Sequence, residues 1–453
     1  MGHAGGSAGG ERKAPDLLAR MMGLYFVVSV GKIGDLIPGL HEIPLAKLVA
    51  ALAIIIAIRS RTVSAAATWK SVPPAKLTIA VMGVTTVSIL WSVLRSGSFG
   101  VITGSVLGVV VTQFLVIKAA RGWAPVRTMI HGTVFASIVL VATMFTSKYA
   151  GSDRAGYSSS YDPNDFAYVL IGLLPVAVTF AIVSKGTKRL LYFGTAGVMI
   201  VAILLTQSRG GFIGLIFDII AMTFALPVAW RGQLQFQTSK SRVLARVVLL
   251  TLIGVVGWHS LPEGTRTRLG SITELGSDYN ASATDIRAPT AGRLAIWTRN
   301  LPLILNRPWG FGAGTFTVVD GRFAGGRYRA PHNTFLQALI ELGIPGFLLF
   351  TATIVSSLRY LRVPPDGDRE KGMIATQDEP RAFARGLGIG LIGLCLSGFF
   401  LSELFANVFW TLVALSCAVG IVRRLPTTTA FGALPPLPPY RALQTTNSAP
   451  SAP

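Results

Sequence analysis

The chain has 453 residues, of which 51% are hydrophobic and only 13% are charged. Soluble domains carry roughly 25% charged residues, so this composition excludes a water-soluble globule of this size. The formal net charge of +21 would suit a nucleic-acid-binding protein, but positive residues also collect in the cytoplasmic loops of membrane proteins. We therefore expect a membrane protein that contacts lipids and has no nucleic-acid partner.

Long apolar runs predict an all-α, polytopic membrane helix bundle of about twelve helices, because each run is about as long as a bilayer core requires. With the N-terminus in the cytoplasm, most of the 41 Lys and Arg residues lie in inside segments, which agrees with the charge bias of cytoplasmic loops. The predicted helices are 17–37, 43–58, 76–95, 98–117, 127–146, 166–184, 189–207, 211–229, 243–262, 334–360, 383–402 and 405–422.

This pattern divides the chain into five parts. The Gly-rich residues 1–16 and residues 426–453, which are rich in Pro, Ser and Thr, are predicted to be disordered cytoplasmic ends. Helices one to nine occupy 17–262, and helices ten to twelve occupy 333–425. Between them, residues 263–332 form a long extracytoplasmic loop, where we expect the chemistry.

Two of the predicted outer connections are long and polar. The shorter one, 147–165, contains Arg154 and an Asp-Pro-Asn turn at 162–164. The longer one, 263–332, contains nine Arg, no Lys and five acids. Arg binds phosphate through a planar bidentate fork that Lys lacks, so this loop favours an anionic ligand. The alternative is that its Arg residues pair with lipid headgroups or with the five acids.

The long loop also contains an amphipathic segment and a Gly-rich turn. Apolar residues recur at helical spacing over 290–306, which predicts a helix that Thr290 caps and Pro302 kinks. The turn that follows has glycines at alternate positions of 310–314. Such a turn either cradles a phosphate or only allows the chain to bend tightly.

Predicted helix starts on the outer side carry basic residues. Ser208 can cap the eighth helix, and Gly210 leaves backbone N–H groups open to an anion beside Arg209. Arg293 has a similar position in the loop helix. A cation at a helix N-terminus opposes the helix dipole, at a cost of roughly 0.3–1 kcal/mol, so these arginines favour a bound anion. For Arg209 the alternative is that its side chain extends to lipid headgroups.

His332 and Asn333 stand where the long loop meets the tenth helix. Either residue can open that helix, and an imidazole at a water-accessible position can accept a hydroxyl proton near neutral pH. A lone histidine can equally be a capping or packing residue. Spacing alone leaves both interpretations of His332 open.

The sequence shows no motif for a different catalytic or metal-binding chemistry. The sequence has no Cys/His cluster with zinc spacing, no HExxH motif, no P-loop and no Ser nucleophile elbow. Cys395 and Cys417 both fall in apolar helices and indicate neither a disulfide nor a metal pair. We therefore expect no metal and no cofactor.

The order of three motifs resembles the O-antigen ligase/polymerase family. The motifs are SRGG at 208–211, GRLAIW followed by P-x-G-x-G-x-G-x-F at 292–316, and HNTFLQALIELGIPG from His332. The resemblance is clearest over about 150–350, and the Asp-Pro-Asn turn is similar too. It implies a metal-independent, inverting membrane glycosyltransferase of the GT-C type in the bacterial cytoplasmic (inner) membrane. Its donor would be a glycan on undecaprenyl diphosphate.

The resemblance also implies roles for individual positions. Arg209 and Arg293 would bind the diphosphate and His332 would activate the acceptor hydroxyl, so these are the predicted catalytic residues. Glu341 would either orient the surroundings of His332 or pair with an inward-facing Arg. The residues predicted to bind substrate are Arg154, Asn164, Ser208, Gly210, Asn333 and Glu341.

Two acceptors fit this resemblance. The first expectation is a ligase, which moves the glycan onto lipid A–core, and the runner-up is a polymerase, which moves it onto a second lipid-linked repeat. A secondary transporter is a distant alternative, since many have twelve helices, but the two halves lack paired segments broken by Gly or Pro. A catalytically silent scaffold is a further alternative.

Overall fold

A computed structural model describes residues 17–37, 39–59, 71–146, 158, 160–230, 233–235, 292–362 and 378–425, with isolated positions between 244 and 266. Helices dominate these ranges, and short 3₁₀ helices lie at Leu40–Glu42 and Ser88–Leu90. The elements are α1 (Leu17–Ser29), α2 (Ile33–Leu36), α3 (Leu45–Arg59), α4 (Pro73–Val87), α5 (Arg95–Ala119, with a π-helical turn at Ile102–Val106), α6 (Trp123–Thr146), α7 (Pro163–Val183), α8 (Gly186–Leu205), α9 (Arg209–Ala225), β1 (Val228–Trp230), β2 (Gln233–Gln235), α10 (Arg293–Asn300), α11 (Leu303–Asn306), α12 (Phe316–Arg322), α13 (Thr334–Leu361), α14 (Asp378–Gly398) and α15 (Asn407–Val422).

Within the described ranges, six helical segments are long and apolar enough to cross a membrane. They are Pro73–Leu90, α5, α6, α7, α8 and α13, while α1 and α15 are apolar but shorter. These segments confirm a multi-pass membrane protein built mainly from helices. The number twelve stays a prediction, and the predicted ninth helix at 243–262 falls largely outside the described residues.

The predicted eighth helix, 211–229, ends earlier than expected. Helix α9 stops at Ala225, because Leu226 is extended and Pro227 has no N–H group with which to continue the helix. The chain then forms an antiparallel hairpin in which Val228 of β1 faces Gln235 of β2. The all-α prediction did not include this hairpin, and the other described elements are helical, as predicted.

Helix α7 forms the centre of the bundle and α8 lies at its edge. Of the apolar window of α7, 83% is buried inside the protein, compared with 22% for α8. Helix α7 packs on α8, α9 and α14, and Gly172 and Gly390 let α7 and α14 approach closely. Small residues at helix crossings are the usual way in which membrane helices pack without a hydrophobic driving force.

Helix α13 is broken at Gly343, and the Gly-rich turn fills the break. Gly343 has φ 71° and ψ −174°, which only glycine adopts readily. Phe311 N–H donates to Ile340 O (3.0 Å), Gly312 N–H donates to Glu341 O (2.9 Å), and Ile344 N–H donates to the carbonyl before the turn, that of Pro308 (2.7 Å). The interrupted helix thus recovers its backbone hydrogen bonds from the turn.

The described part of the long loop, 292–333, forms a small layer with a core of its own, and we call it the loop layer. Its apolar core joins Ile296, Phe311, Phe316, Val319, Leu336 and Ile340. Asp320 is fully buried and accepts from both Arg299 Nε (2.7 Å) and Nη2 (3.0 Å). Burial alone would raise the pKa of Asp320, but hydrogen bonds from Arg299, Arg329 N and Asn300 hold it below its usual value. Arg299 therefore pairs with an acid of the same loop, which was one of the alternatives to an anionic ligand.

The predicted loop helix is divided and starts later than expected. It breaks at Leu301 and Pro302 into α10 and α11, which confirms the kink. Helix α10 begins at Arg293, and Gly292 is its N-cap residue. The prediction that Thr290 caps this helix is wrong, because Gly292 holds that position; Thr290 lies outside the described residues.

Candidate functional site

The SRGG motif forms the start of α9, as predicted. The Ser208 hydroxyl accepts from Gly211 N–H at 3.2 Å, and Gln207 before it has the left-handed φ of 51°. Arg209, the first helical residue, is only 9% exposed. A side chain on Gly210 would come within 3.0 Å of Phe400 Cβ. The glycine therefore also allows the residues after α14 to pack against this helix start.

The HN motif at the start of α13 has the same local geometry. The Asn333 side chain accepts from Phe335 N–H and Leu336 N–H, both at 3.0 Å, so the predicted cap is confirmed. His332 before it has a φ of 45°, again left-handed. Its backbone N–H donates to Ser402 Oγ at 3.0 Å. This backbone conformation costs a non-glycine residue of order 1–3 kcal/mol, so the surrounding contacts hold His332 in a defined position.

A hydrogen bond within the loop layer links the helix that begins at Arg293 to the residue before His332. Arg293 is the first residue of α10, and its Cζ lies 6.0 Å from the centroid of the Phe400 ring. One turn later, Trp297 Nε1–H donates to the carbonyl of Pro331 at 2.8 Å. Pro331 immediately precedes His332, so α10 is fixed beside the histidine.

The eight residues 399–406 between α14 and α15, which we call the α14–α15 connection, contact the start of α9, the start of α10 and the start of α13. Phe400 contacts both Gly210 and Arg293, and Ser402 binds His332. Two further hydrogen bonds attach the connection to the start of α13, since Thr334 Oγ1 donates to Leu401 O (2.9 Å) and accepts from Glu403 N–H (3.0 Å). The predicted catalytic residues Arg209, Arg293 and His332 are therefore grouped around one short segment.

Sequence reasoning missed this connection. It assigned 383–402 to a single helix, but α14 ends at Gly398, and the polar pair Ser402–Glu403 was left without a role. The signal in the sequence was an acid next to a serine between two apolar runs, at the end of the helices that was predicted to face outside. The structure adds Phe400, Ser402 and Glu403 to the site.

A polar cavity of about 380 Å³ lies beside the connection. Ser402 and Glu403 line it from the connection, Asp165 lines it from the start of α7, and Lys32 and Tyr161 complete its polar wall. The Asp165 and Glu403 side chains share a hydrogen bond, and burial together with the nearby Asp165 raises the pKa of Glu403 well above its usual value. Burial also lowers the pKa of Lys32, whose Nζ lies 5.4 Å from the Tyr161 ring centroid. Carboxyl and hydroxyl groups arranged in this way can bind the hydroxyls of a sugar.

The predicted Asp-Pro-Asn turn is part of α7. Asp162 is the N-cap residue and accepts from Asn164 N–H (2.6 Å) and Asp165 N–H (3.0 Å), while Pro163 occupies the first helical position. The expectation of a loop turn is therefore wrong, because Asp162 and Asp165 form a capping box that extends the helix toward the N-terminus. Asn164 lies in the first turn, next to Asp165. Arg154 lies outside the described residues.

Glu341 binds backbone within the protein. It is 1% exposed, and its carboxylate accepts from Gly314 N–H (2.8 Å), Phe316 N–H (3.2 Å) and Gln337 Nε2 (3.4 Å). The N–H groups of Phe311, Gly312 and the next two residues of the Gly-rich turn are likewise bonded within the protein. The glycines therefore allow tight bending rather than cradle a phosphate, and the placement of Glu341 suits a residue that positions the turn.

The described residues contain no group of three or more His, Cys, Asp or Glu side chains that could hold a metal ion. The described positive charge near the α14–α15 connection comes from Arg209 and Arg293, and Lys32 lies in the cavity wall. Cys417 is buried and Cys395 is partly buried, and both thiols are free.

Residues 194–351 match the family model described as O-Antigen ligase. This match supports the assignment of the chain to the O-antigen ligase/polymerase family. The matched range starts in α8, ends in α13 and includes Arg209, Arg293 and His332. The match indicates a membrane enzyme of the glycosyltransferase type. No curated protein matches the chain.

Proposed function

We propose that this O-antigen ligase family protein transfers a glycan from undecaprenyl diphosphate to a hydroxyl of lipid A–core at the outer face of the bacterial cytoplasmic membrane. The observation that carries the proposal is the grouping of Arg209, Arg293 and His332 around the α14–α15 connection. Two arginines suit a diphosphate, and one histidine suits the removal of a hydroxyl proton.

The arginines would stabilise the leaving group. As the bond between the sugar and the phosphate breaks, negative charge grows on the diphosphate, and fixed guanidinium groups stabilise that charge without reorganisation. Arg209 is nearly buried, so its charge acts at a low local dielectric, where electrostatic interactions are stronger. The Phe400 ring beside Arg293 supports the orientation of that guanidinium through a cation–π contact.

His332 would act as the general base. Its imidazole takes the proton of the acceptor hydroxyl while the hydroxyl oxygen attacks the anomeric carbon, and undecaprenyl diphosphate departs from the opposite face. A single displacement of this kind inverts the configuration at the sugar carbon, and the arginines alone neutralise the leaving group, so the reaction needs no metal. The constrained backbone of His332 supports this role, since a general base must be held within hydrogen-bond reach of the proton.

The cavity lined by Asp165 and Glu403 would receive the acceptor sugar. Ser402 lines this cavity and also accepts from the His332 backbone N–H, which supports a place for the acceptor near the proposed base. The runner-up function, a polymerase, uses the same donor groups and differs in the lipid-linked repeat that occupies this cavity.

The test uses the purified full-length protein with an undecaprenyl-diphosphate oligosaccharide and offers either lipid A–core or a second lipid-linked repeat as acceptor. Glycosylated lipid A–core is the expected product, and a lengthened lipid-linked glycan would establish the polymerase instead. Asp165→Asn should raise KM for the acceptor several-fold and leave donor binding unchanged. The absence of either product, with a folded protein and a competent donor, would reject the glycosyltransferase proposal.

A further inference from the structure

A second cavity, of about 630 Å³, opens where α1, α6 and α8 meet, at the opposite end of α8 from the SRGG motif. Its charged lining residues, among those that the structure describes, are all cations: Arg20, Arg127 and Lys188. The wall below them is apolar and faces outward from the bundle, with Phe135 and Leu191 more than half exposed. The cavity thus combines a positive rim with a surface that belongs in lipid.

Neighbouring side chains hold one cation of this cavity, and the other two cations are exposed. Arg127 Nε lies 2.6 Å from Glu379 Oε1 of α14, and its guanidinium lies 5.6 Å from the Phe180 ring centroid. His131 stacks on the same ring at 4.0 Å and forms a 2.8 Å hydrogen bond with the Tyr192 hydroxyl. Arg20 and Lys188 are exposed at the rim. A phosphate would therefore meet one cation that neighbouring side chains hold and two cations that are exposed to the surroundings.

An apolar groove continues from this cavity between α6 and α8. A neighbouring cavity of about 360 Å³ shares Ile138, Leu191 and Thr195 with it and extends to Val198. The eleven residues from Lys188 to Val198 span about 15 Å at the rise of an α-helix, which is about half of the roughly 30 Å hydrocarbon core. The groove therefore has the depth of one leaflet.

We infer that this cavity and groove bind one anionic glycerophospholipid, with its phosphate among Arg20, Arg127 and Lys188 and one acyl chain along the groove. Basic pockets between membrane helices recognise anionic lipid headgroups in this way. The cations lie on the side that the distribution of Lys and Arg predicts to be cytoplasmic. The site is separated from the SRGG motif by the length of α8, and the inference stands independently of the proposed function.

The test of the headgroup site compares phosphatidylglycerol, phosphatidylcholine of the same acyl chains and inorganic phosphate. Binding to the detergent-purified full chain is measured by native mass spectrometry, with the shift in Tm as a second readout. Each cation near an anionic headgroup contributes about fivefold, so the double variant Arg20→Gln/Lys188→Gln should bind phosphatidylglycerol about thirtyfold more weakly. Lys118→Gln is the matched control, because Lys118 is the one charged residue among the described residues that line another apolar groove, of about 490 Å³. This variant should bind phosphatidylglycerol as the unaltered protein does.

Equal affinity for the two lipids, an unchanged double variant, or an equal stabilisation by inorganic phosphate alone would overturn the inference. A second pair of variants, one inside the groove and one outside it, tests whether an acyl chain occupies the groove. A side chain at Gly194 or Gly197 of α8 would meet nothing within 4 Å, but only Gly194 lines the groove. Gly194→Leu should weaken phosphatidylglycerol binding several-fold and Gly197→Leu should not. The same affinity in both variants would show that no acyl chain occupies the groove.

Discussion

The role of His332 can be tested without disturbing the backbone that holds it. Its φ of 45° lies in the left-handed region, which alanine, like most L-residues, occupies at a cost of roughly 1–2 kcal/mol, so an alanine variant is a poor choice for separating a loss of chemistry from a loss of structure. Glycine and asparagine both adopt the left-handed region readily. His332→Asn and His332→Gly also keep the backbone N–H that donates to Ser402, so both variants should retain the fold.

Both variants should lose the general base and keep the donor site. General-base catalysis contributes roughly 10²–10⁴-fold, so kcat should fall by that factor, which corresponds to about 3–5 kcal/mol of transition-state stabilisation. The assay measures glycan transfer with purified protein, and donor binding is measured separately with the undecaprenyl-diphosphate glycan. The donor Kd should stay within about twofold, because the proposed donor contacts come from Arg209 and Arg293.

A fall in kcat of less than about tenfold in both variants would return His332 to a structural role at the start of α13. A matching loss of donor affinity would instead assign the histidine to the donor site. The Tm of each variant separates these outcomes from unfolding, since a structural defect lowers Tm and the loss of a base does not.

The remaining predictions concern the arginines, the Gly-rich turn, metal and topology. Arg209→Lys and Arg293→Lys should each restore only part of the activity lost in the alanine variants, because lysine lacks the bidentate fork. The control is Arg307→Lys, which alters an arginine stacked on Phe311 away from the connection, and this variant should transfer glycan normally. Glu341→Gln should lower the free energy of unfolding by about 1–3 kcal/mol in a denaturation assay, since one carboxylate serves two buried backbone N–H groups; an unchanged stability would contradict that role. Turnover should persist in EDTA, and a loss that Mg²⁺ or Mn²⁺ reverses would show that a metal neutralises the leaving group. Ser448→Cys should resist impermeant thiol reagents in intact cells, and its labelling from outside would invert the predicted topology.

Sequence patterns predicted the helix starts well, because their chemistry is local. Ser208 and Asn333 cap α9 and α13 as expected, since a capping side chain bonds to its own backbone two or three residues later. The capping box at Asp162 was read as a turn instead, although it depends on equally local contacts, because the apolar run that follows begins only at Phe166.

The features that depend on distant contacts could not be predicted in the same way. A bond from the Phe311 backbone to Ile340 crosses 29 positions, and that from His332 to Ser402 crosses 70. Glu341 was expected at the substrate, but its burial against the Gly-rich turn depends on the break at Gly343, which an apolar run with helical spacing does not reveal. Hydrophobic periodicity reports which face of a helix is buried, not which loop bonds to it.

The break in α13 has a consequence for the order in which the protein matures. The Gly-rich turn precedes α13 in the chain, so the N–H groups of Phe311, Gly312 and Gly314 lack their acceptors until Ile340 and Glu341 have been synthesised and have entered the bundle. The α14–α15 connection arrives later still, after Gly398. A nascent chain therefore carries its arginines and its histidine well before it can hold them together. If the proposed function holds, transfer therefore requires that α14 and α15 have inserted beside the loop layer.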